Sequence, residues 1–185
     1  FAFRVVRGDF KRADPGRGRF RDYVKTAVYH LIVDHQKRQR GRAQPLVEDP
    51  PEPAAASPDV AASDLAFLDR WREELLDRAW EGLQEVQQRT GQPFYTVLRF
   101  RAEHPQTPSA QMAEQLGAAL GKPLTSAGVR QTLHRAREKF ADLLLEEVAR
   151  SLQSQDAERL EEELIDLGLL SYCRSALERH AGKSS

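Results

Sequence analysis

The stretch from residue 43 to residue 63 decides what this 185-residue chain can fold into, because five of its ten prolines fall in AQPLVEDPPEPAAASPDVAAS. Proline removes a backbone donor and clashes with the preceding helical turn, so a run this dense reads as neither helix nor central strand. It predicts a partly polyproline linker between two modules. Apolar residues make up 40% of the chain, which excludes full disorder.

On both sides of the linker the apolar residues recur at helical spacing. Before it, Phe20, Tyr23, Val24, Ala27, Val28, Leu31 and Ile32 recur at spacings of three and four (20/23/24, 24/27/28, 28/31/32) between a Pro/Gly turn and Gly41. After it, Ser63 offers an N-cap to a stripe of Leu65, Leu68, Trp71, Leu75, Ala79, Leu83 and Val86. A short helix from Phe94 to Glu103 should turn Tyr95 and Leu98 inward, with Phe100 a further candidate. Thr107 and Pro108 read as N-cap and first residue of a helix over 109–120 that buries Met112, Ala113, Leu116 and Leu120. Thr125 or Ser126 then caps a long helix to about Leu152, with Val129, Leu133, Ala136, Phe140, Leu143 or Leu144, and Val148 inward. A weaker helical pair, 157–167 and 171–180, splits at Gly168. No segment alternates with a period of two, so the chain reads as all-α. Its expected organisation is a helical domain over 1–42, a linker over 43–63, a second domain over 64–153 and an acidic helical extension over 154–185.

The formal net charge is zero, but only by cancellation. Residues 1–42 carry net +8, 43–92 net −7, 93–140 net +4 and 141–185 net −5. Two basic blocks suit two contacts with a polyanion; clustered solvated helix faces would give the same pattern.

Residues 108–140 form the most informative constellation: a nearly neutral helix, a turn with Gly and Pro, and a second helix with Arg130, Gln131, His134, Arg135, Arg137 and Lys139 off its apolar stripe. A recognition helix needs this arrangement. Thr125 and Ser126 would help its first turn take a phosphate on free N–H groups. Arg and Gln can each pair with a base edge in two places. A helical hairpin with a basic outer face is the simpler alternative. The first module interleaves cations, Lys37 and Arg38 among them, with rings, which suits single-stranded or distorted nucleic acid. Tyr29, partly off its stripe, is the best stacking candidate; Phe20 and Tyr23 read as core.

GRFRDYVKTAVYHLIVDHQKRQR, residues 18–40, resembles the second conserved region of bacterial RNA polymerase sigma factors of the extracytoplasmic-function type. LTSAGVRQTLHRAREKFADLL, residues 124–144, resembles their fourth region, whose helix-turn-helix ends in a Val-x-x-x-Leu-x-Arg-Ala-Arg pattern; Val129, Leu133, Arg135, Ala136 and Arg137 match it. The order of the two motifs across a Pro/Ala-rich linker is also that of the family. The resemblance implies two helical domains on a tether, the first binding and melting the promoter −10 element, the second reading the −35 duplex. Promoter DNA and core RNA polymerase are the implied partners, with an anti-sigma factor as a further candidate. His30 stands where the family usually carries Asn, and Tyr29 precedes it. The helices that open the family's second region have no counterpart here, so the first domain is expected to be N-terminally incomplete.

No Walker loop, GxSxG or HExxH motif points to an enzyme, and no cofactor is expected. The five histidines lack ligand spacing, and one cysteine excludes an internal disulfide or a Cys-rich metal site. Cys173 reads as buried and inert, the Glu161–Glu163 run as a solvated face, and Trp71 and Trp80 as packing residues. With no 18-residue apolar run and no signal peptide, the cytoplasm is the expected compartment and no membrane contact is expected. A stand-alone helix-turn-helix regulator and a helical interaction module without a DNA role remain as alternatives.

Overall fold

The computed structural model describes residues 21, 22, 24–26, 28 and 58–182. Most of the expected first domain and the linker up to residue 57 lie outside them. All regular structure among the described residues is helical. Residues 21, 22, 24–26 and 28 are helical, and six helices follow: α1 (Pro58–Thr90), α2 (Phe94–Glu103), α3 (Ser109–Leu120), α4 (Ser126–Leu152), α5 (Ala157–Asp166) and α6 (Leu170–Ala181). The chain divides into two compact units, with the boundary inside α1 between Arg70 and Trp71; residues 151–154 group with the first unit.

In the first unit, Lys25 Nζ pairs with Asp64 Oδ2 of α1 at 2.6 Å. Arg21 is only 6% exposed. Helix α1 begins at Pro58, earlier than a cap at Ser63 would have it. Proline costs nothing in the first helical turn, and DVAAS behind it contains no breaker. Leu65, expected on the buried stripe, is 64% exposed; in α1 burial sets in at Leu75.

In the second unit one core joins α1 to α4. Leu83 of α1, Val97 and Leu98 of α2, Met112, Ala113 and Leu116 of α3, and Val129, Leu133 and Ala136 of α4 form it. Trp80 sits at its edge, tilted on Phe140 with centroids 4.7 Å apart and edge-on to Tyr95 at 5.9 Å. Trp80 is thus a packing residue, as its place on an amphipathic helix suggests. Val97, which the sequence reading left out, is 1% exposed, whereas Tyr95 is half-buried. The side chain of Gln87 acts as the missing cap of α2: its Oε1 accepts from Thr96 N at 2.9 Å and its Nε2 donates to Thr96 Oγ1 at 2.8 Å.

The C-terminal extension folds as an α5–α6 hairpin within this unit. Asp156 caps α5 by accepting from Arg159 N at 3.0 Å. Gly168, at φ +66°, takes the left-handed turn between the two helices. Leu160, Leu164, Leu167, Leu169, Cys173 and Ala176 are buried, and Arg179 Nη2 of α6 meets Asp142 Oδ1 of α4 at 2.6 Å. Glu163 corrects the reading of the acidic run: Glu161 and Glu162 are exposed, but Glu163 is 2% exposed. It stands one residue before Leu164 and three after Leu160, on the apolar stripe itself.

Candidate nucleic-acid interface

Two short loops and one helix build the candidate face. Helix α3 ends at Gly121, whose φ of +62° is left-handed. Lys122 N donates back to Gly117 O at 3.1 Å and Gly121 N to Ala118 O at 3.4 Å, so the last carbonyls of α3 are satisfied. The chain turns through Pro123, half-buries Leu124 against the core, and enters α4 at Ser126. Thr125 is the cap: its Oγ1 accepts from Gly128 N at 3.0 Å and its carbonyl from Val129 N at 2.9 Å. Of the two hydroxyls that the sequence offers here, Thr125 therefore takes the N-cap, and Ser126 is half-buried as the first helical residue.

The start of α3 differs from the expectation. Pro108 occupies the cap position with extended backbone, ψ 149°, and no side chain caps the helix. Thr107 does not cap it; its carbonyl accepts from Arg101 Nη1 at 2.8 Å.

Along α4, Val129, Leu133 and Ala136 are buried, and Arg130, Gln131, His134, Arg135 and Arg137 are exposed. At 100° per residue, Arg130, His134 and Arg137 share one side within a turn or two of the capped N-terminus. Gln131 and Arg135 point further round the same solvent side. His134 Nδ1 lies 3.8 Å from Glu138 Oε2, an ion pair only when the imidazole is protonated. Among the described residues none makes an ion pair with Arg130, Arg135 or Arg137, and all three are exposed.

Lys139 stands at the edge of this group, one turn beyond Arg135. It lies about 180° from Arg130 around the helix, half-buried, and lines a groove between α1 and α4 of about 780 Å³ together with Asp77, Glu81, Glu85 and Glu146. Six carboxylates and four cations, Arg78, Arg89, Arg150 and Lys139 itself, line that groove. Tyr29, His30, Lys37 and Arg38 lie outside the described residues.

Sequence reasoning missed Arg101, which shapes the loop before α3 through contacts that no local pattern reveals. No group of His, Cys, Asp and Glu among the described residues could hold a metal ion. No helix among them is long and apolar enough to cross a membrane. Cys173 is fully buried, and burial, with a smaller contribution from the charge of Asp142, pushes its thiol up to about 12. Comparison with known proteins finds no matching family model, no matching curated protein and no matching solved structure.

Proposed function

We propose that this chain is a sigma-type initiation factor that directs RNA polymerase to specific promoters. In this reading α3, its turn and α4 are a helix-turn-helix that reads the −35 element, and the basic segment over 1–42 binds the −10 element. The observation that carries the proposal is the solvent face of α4. Arg130, Gln131, His134, Arg135 and Arg137 are all exposed within the first half of a capped helix whose other side is anchored in the core. A helix held from behind, with its N-terminal residues free to meet base edges, is how helix-turn-helix proteins dock in a major groove. The two sequence motifs quoted above supply the link to polymerase.

The test is run-off transcription from a promoter library with purified core polymerase, with and without this chain. Promoter-specific transcripts that require the chain support the proposal. Sequence-specific duplex binding without polymerase dependence favours a stand-alone regulator. Absence of any salt-sensitive DNA binding favours an interaction module.

A further inference from the structure

We infer that Arg101 is a positioning residue: it fixes the entry of α3 and thereby sets which base sequence α4 reads, an inference that rests on the DNA-reading proposal above. Arg101 is the half-buried arginine at the end of α2. Its Nη1 donates to Pro105 O at 2.9 Å and to Thr107 O at 2.8 Å, and its Nη2 to Met112 Sδ at 2.8 Å. One planar group therefore binds two carbonyls of the α2–α3 loop and the first buried side chain of α3 at once.

Helix α3 needs such an anchor. Pro108 in its cap position has no hydroxyl to offer, and no side chain caps the helix. What its first turn has instead is the Pro108 carbonyl, which accepts from Met112 N at 2.9 Å. The path of residues 105–108 thus sets where α3 begins, and the Arg101 guanidinium holds that path. The fork cannot be replaced by an ammonium, a single point charge that does not span three acceptors in one plane.

The consequence reaches α4 through the core. Met112, Ala113 and Leu116 pack in the same cluster as Val129, Leu133 and Ala136. Interiors are close-packed, so a displaced α3 moves the buried side of α4 and with it the opposite side that carries Arg130 and His134. Arg101 would act on base reading without touching DNA.

The experiment compares the full chain with Arg101→Lys and Arg101→Leu by binding to a randomised duplex library at two salt concentrations. The readouts are the affinity ratio of preferred to random duplex, the salt slope, and amide exchange at Met112. The ratio is independent of the folded fraction, so a variant that folds incompletely still reports. The expected result is a fall of about tenfold in the ratio for both variants, faster exchange at Met112, and an unchanged salt slope. A ratio preserved in Arg101→Lys overturns the inference, because charge alone would then suffice. A slope lowered by about one unit in Arg101→Leu but not in Arg101→Lys overturns it too, because Arg101 would be a phosphate contact. If the unaltered chain shows no sequence preference, the DNA-reading proposal itself falls, an outcome distinct from a preference that survives the loss of Arg101.

Discussion

Gly117 lies directly beneath the carbonyl of Lys122: a Cβ at 117 would stand 3.1 Å from that oxygen and 3.5 Å from Leu124 N. The turn that joins α3 to α4 thus folds back over a position that carries no side chain. Alanine at a helix-interior glycine ordinarily gains roughly 0.5–1 kcal/mol. Here the backbone oxygen it meets is tied in place by Lys122 N donating to Gly117 O at 3.1 Å. Gly117→Ala is therefore expected to lower the thermal midpoint despite the better helix former. A raised midpoint would mean that the turn yields.

The N-cap of α4 can be removed without touching the core. Thr125→Ala strips the acceptor from Gly128 N and should cost about 1 kcal/mol in urea unfolding, whereas Thr125→Ser should cost much less. Equal stability of all three proteins would show that the cap is not worth its hydrogen bond here.

Cys173 gives a pH signature with a definite sign. Its thiol is raised from the ordinary 9.0 to about 12, first by burial and then by the nearby charge of Asp142. The folded state holds the proton more tightly than the unfolded chain, so this group costs no stability below pH 9.0 and progressively destabilises the fold as pH rises towards about 12. Stability should fall over that window at up to about 1.4 kcal/mol per pH unit from this group, and Cys173→Ala should flatten the slope. At pH 8 a thiol reagent should label the folded chain only at the rate of opening. Rapid labelling without unfolding would place the thiol at the surface.

Burial and charge make opposite demands on the C-terminal hairpin. Leu164 is fully buried, whereas the Arg179–Asp142 pair is about 40% exposed at each side chain. Leu164→Ala should cost about 2–5 kcal/mol through the cavity it leaves. Arg179→Ala should cost less than about 1 kcal/mol because solvent screens the pair. Chemical denaturation of both variants checks this, and the reverse order would make the hairpin's attachment electrostatic.

The helices were legible because each presents a buried stripe at period 3.6 and stops at a residue with a physical reason to stop it, Gly121 and Gly168 most plainly. The side of α4 that faces the core follows from Val129, Leu133 and Ala136 alone. Three glutamates in a row suggest a solvated face, but the spacing of Glu163 from Leu160 and Leu167 puts it on the buried stripe. Leu65 shows the limit of such spacing: a stripe says which side of a helix is apolar, not how far along the helix a partner covers it. Lys139 shares the basic character of its neighbours and stands only about 40° from Arg135, but about 180° from Arg130 around the helix. Arg101 had no sequence signal, since its acceptors Pro105 and Thr107 are loop carbonyls that any residue could supply.

Arg130 and Lys139 offer the sharpest contrast on one helix. Arg130 is exposed one turn into α4 and makes no ion pair with a described residue; Lys139 lies half-buried in the α1–α4 groove, about 180° away. If α4 reads bases, Arg130→Ala removes a side chain able to pair with a guanine edge and should cost about 1–3 kcal/mol on the preferred duplex while relaxing preference at one base pair. Lys139→Ala should leave the preferred sequence unaltered. Its surroundings predict something further. Removing one of four cations from a groove lined by six carboxylates makes it more negative, so stability rather than binding should register the loss, by less than about 1 kcal/mol. Selection from a randomised duplex library at two salt concentrations measures the first effect, and thermal unfolding the second. An Arg130→Ala variant that selects the same sequence as the unaltered chain would mean that this face of α4 does not read bases, and the helical hairpin would then be no more than a basic surface.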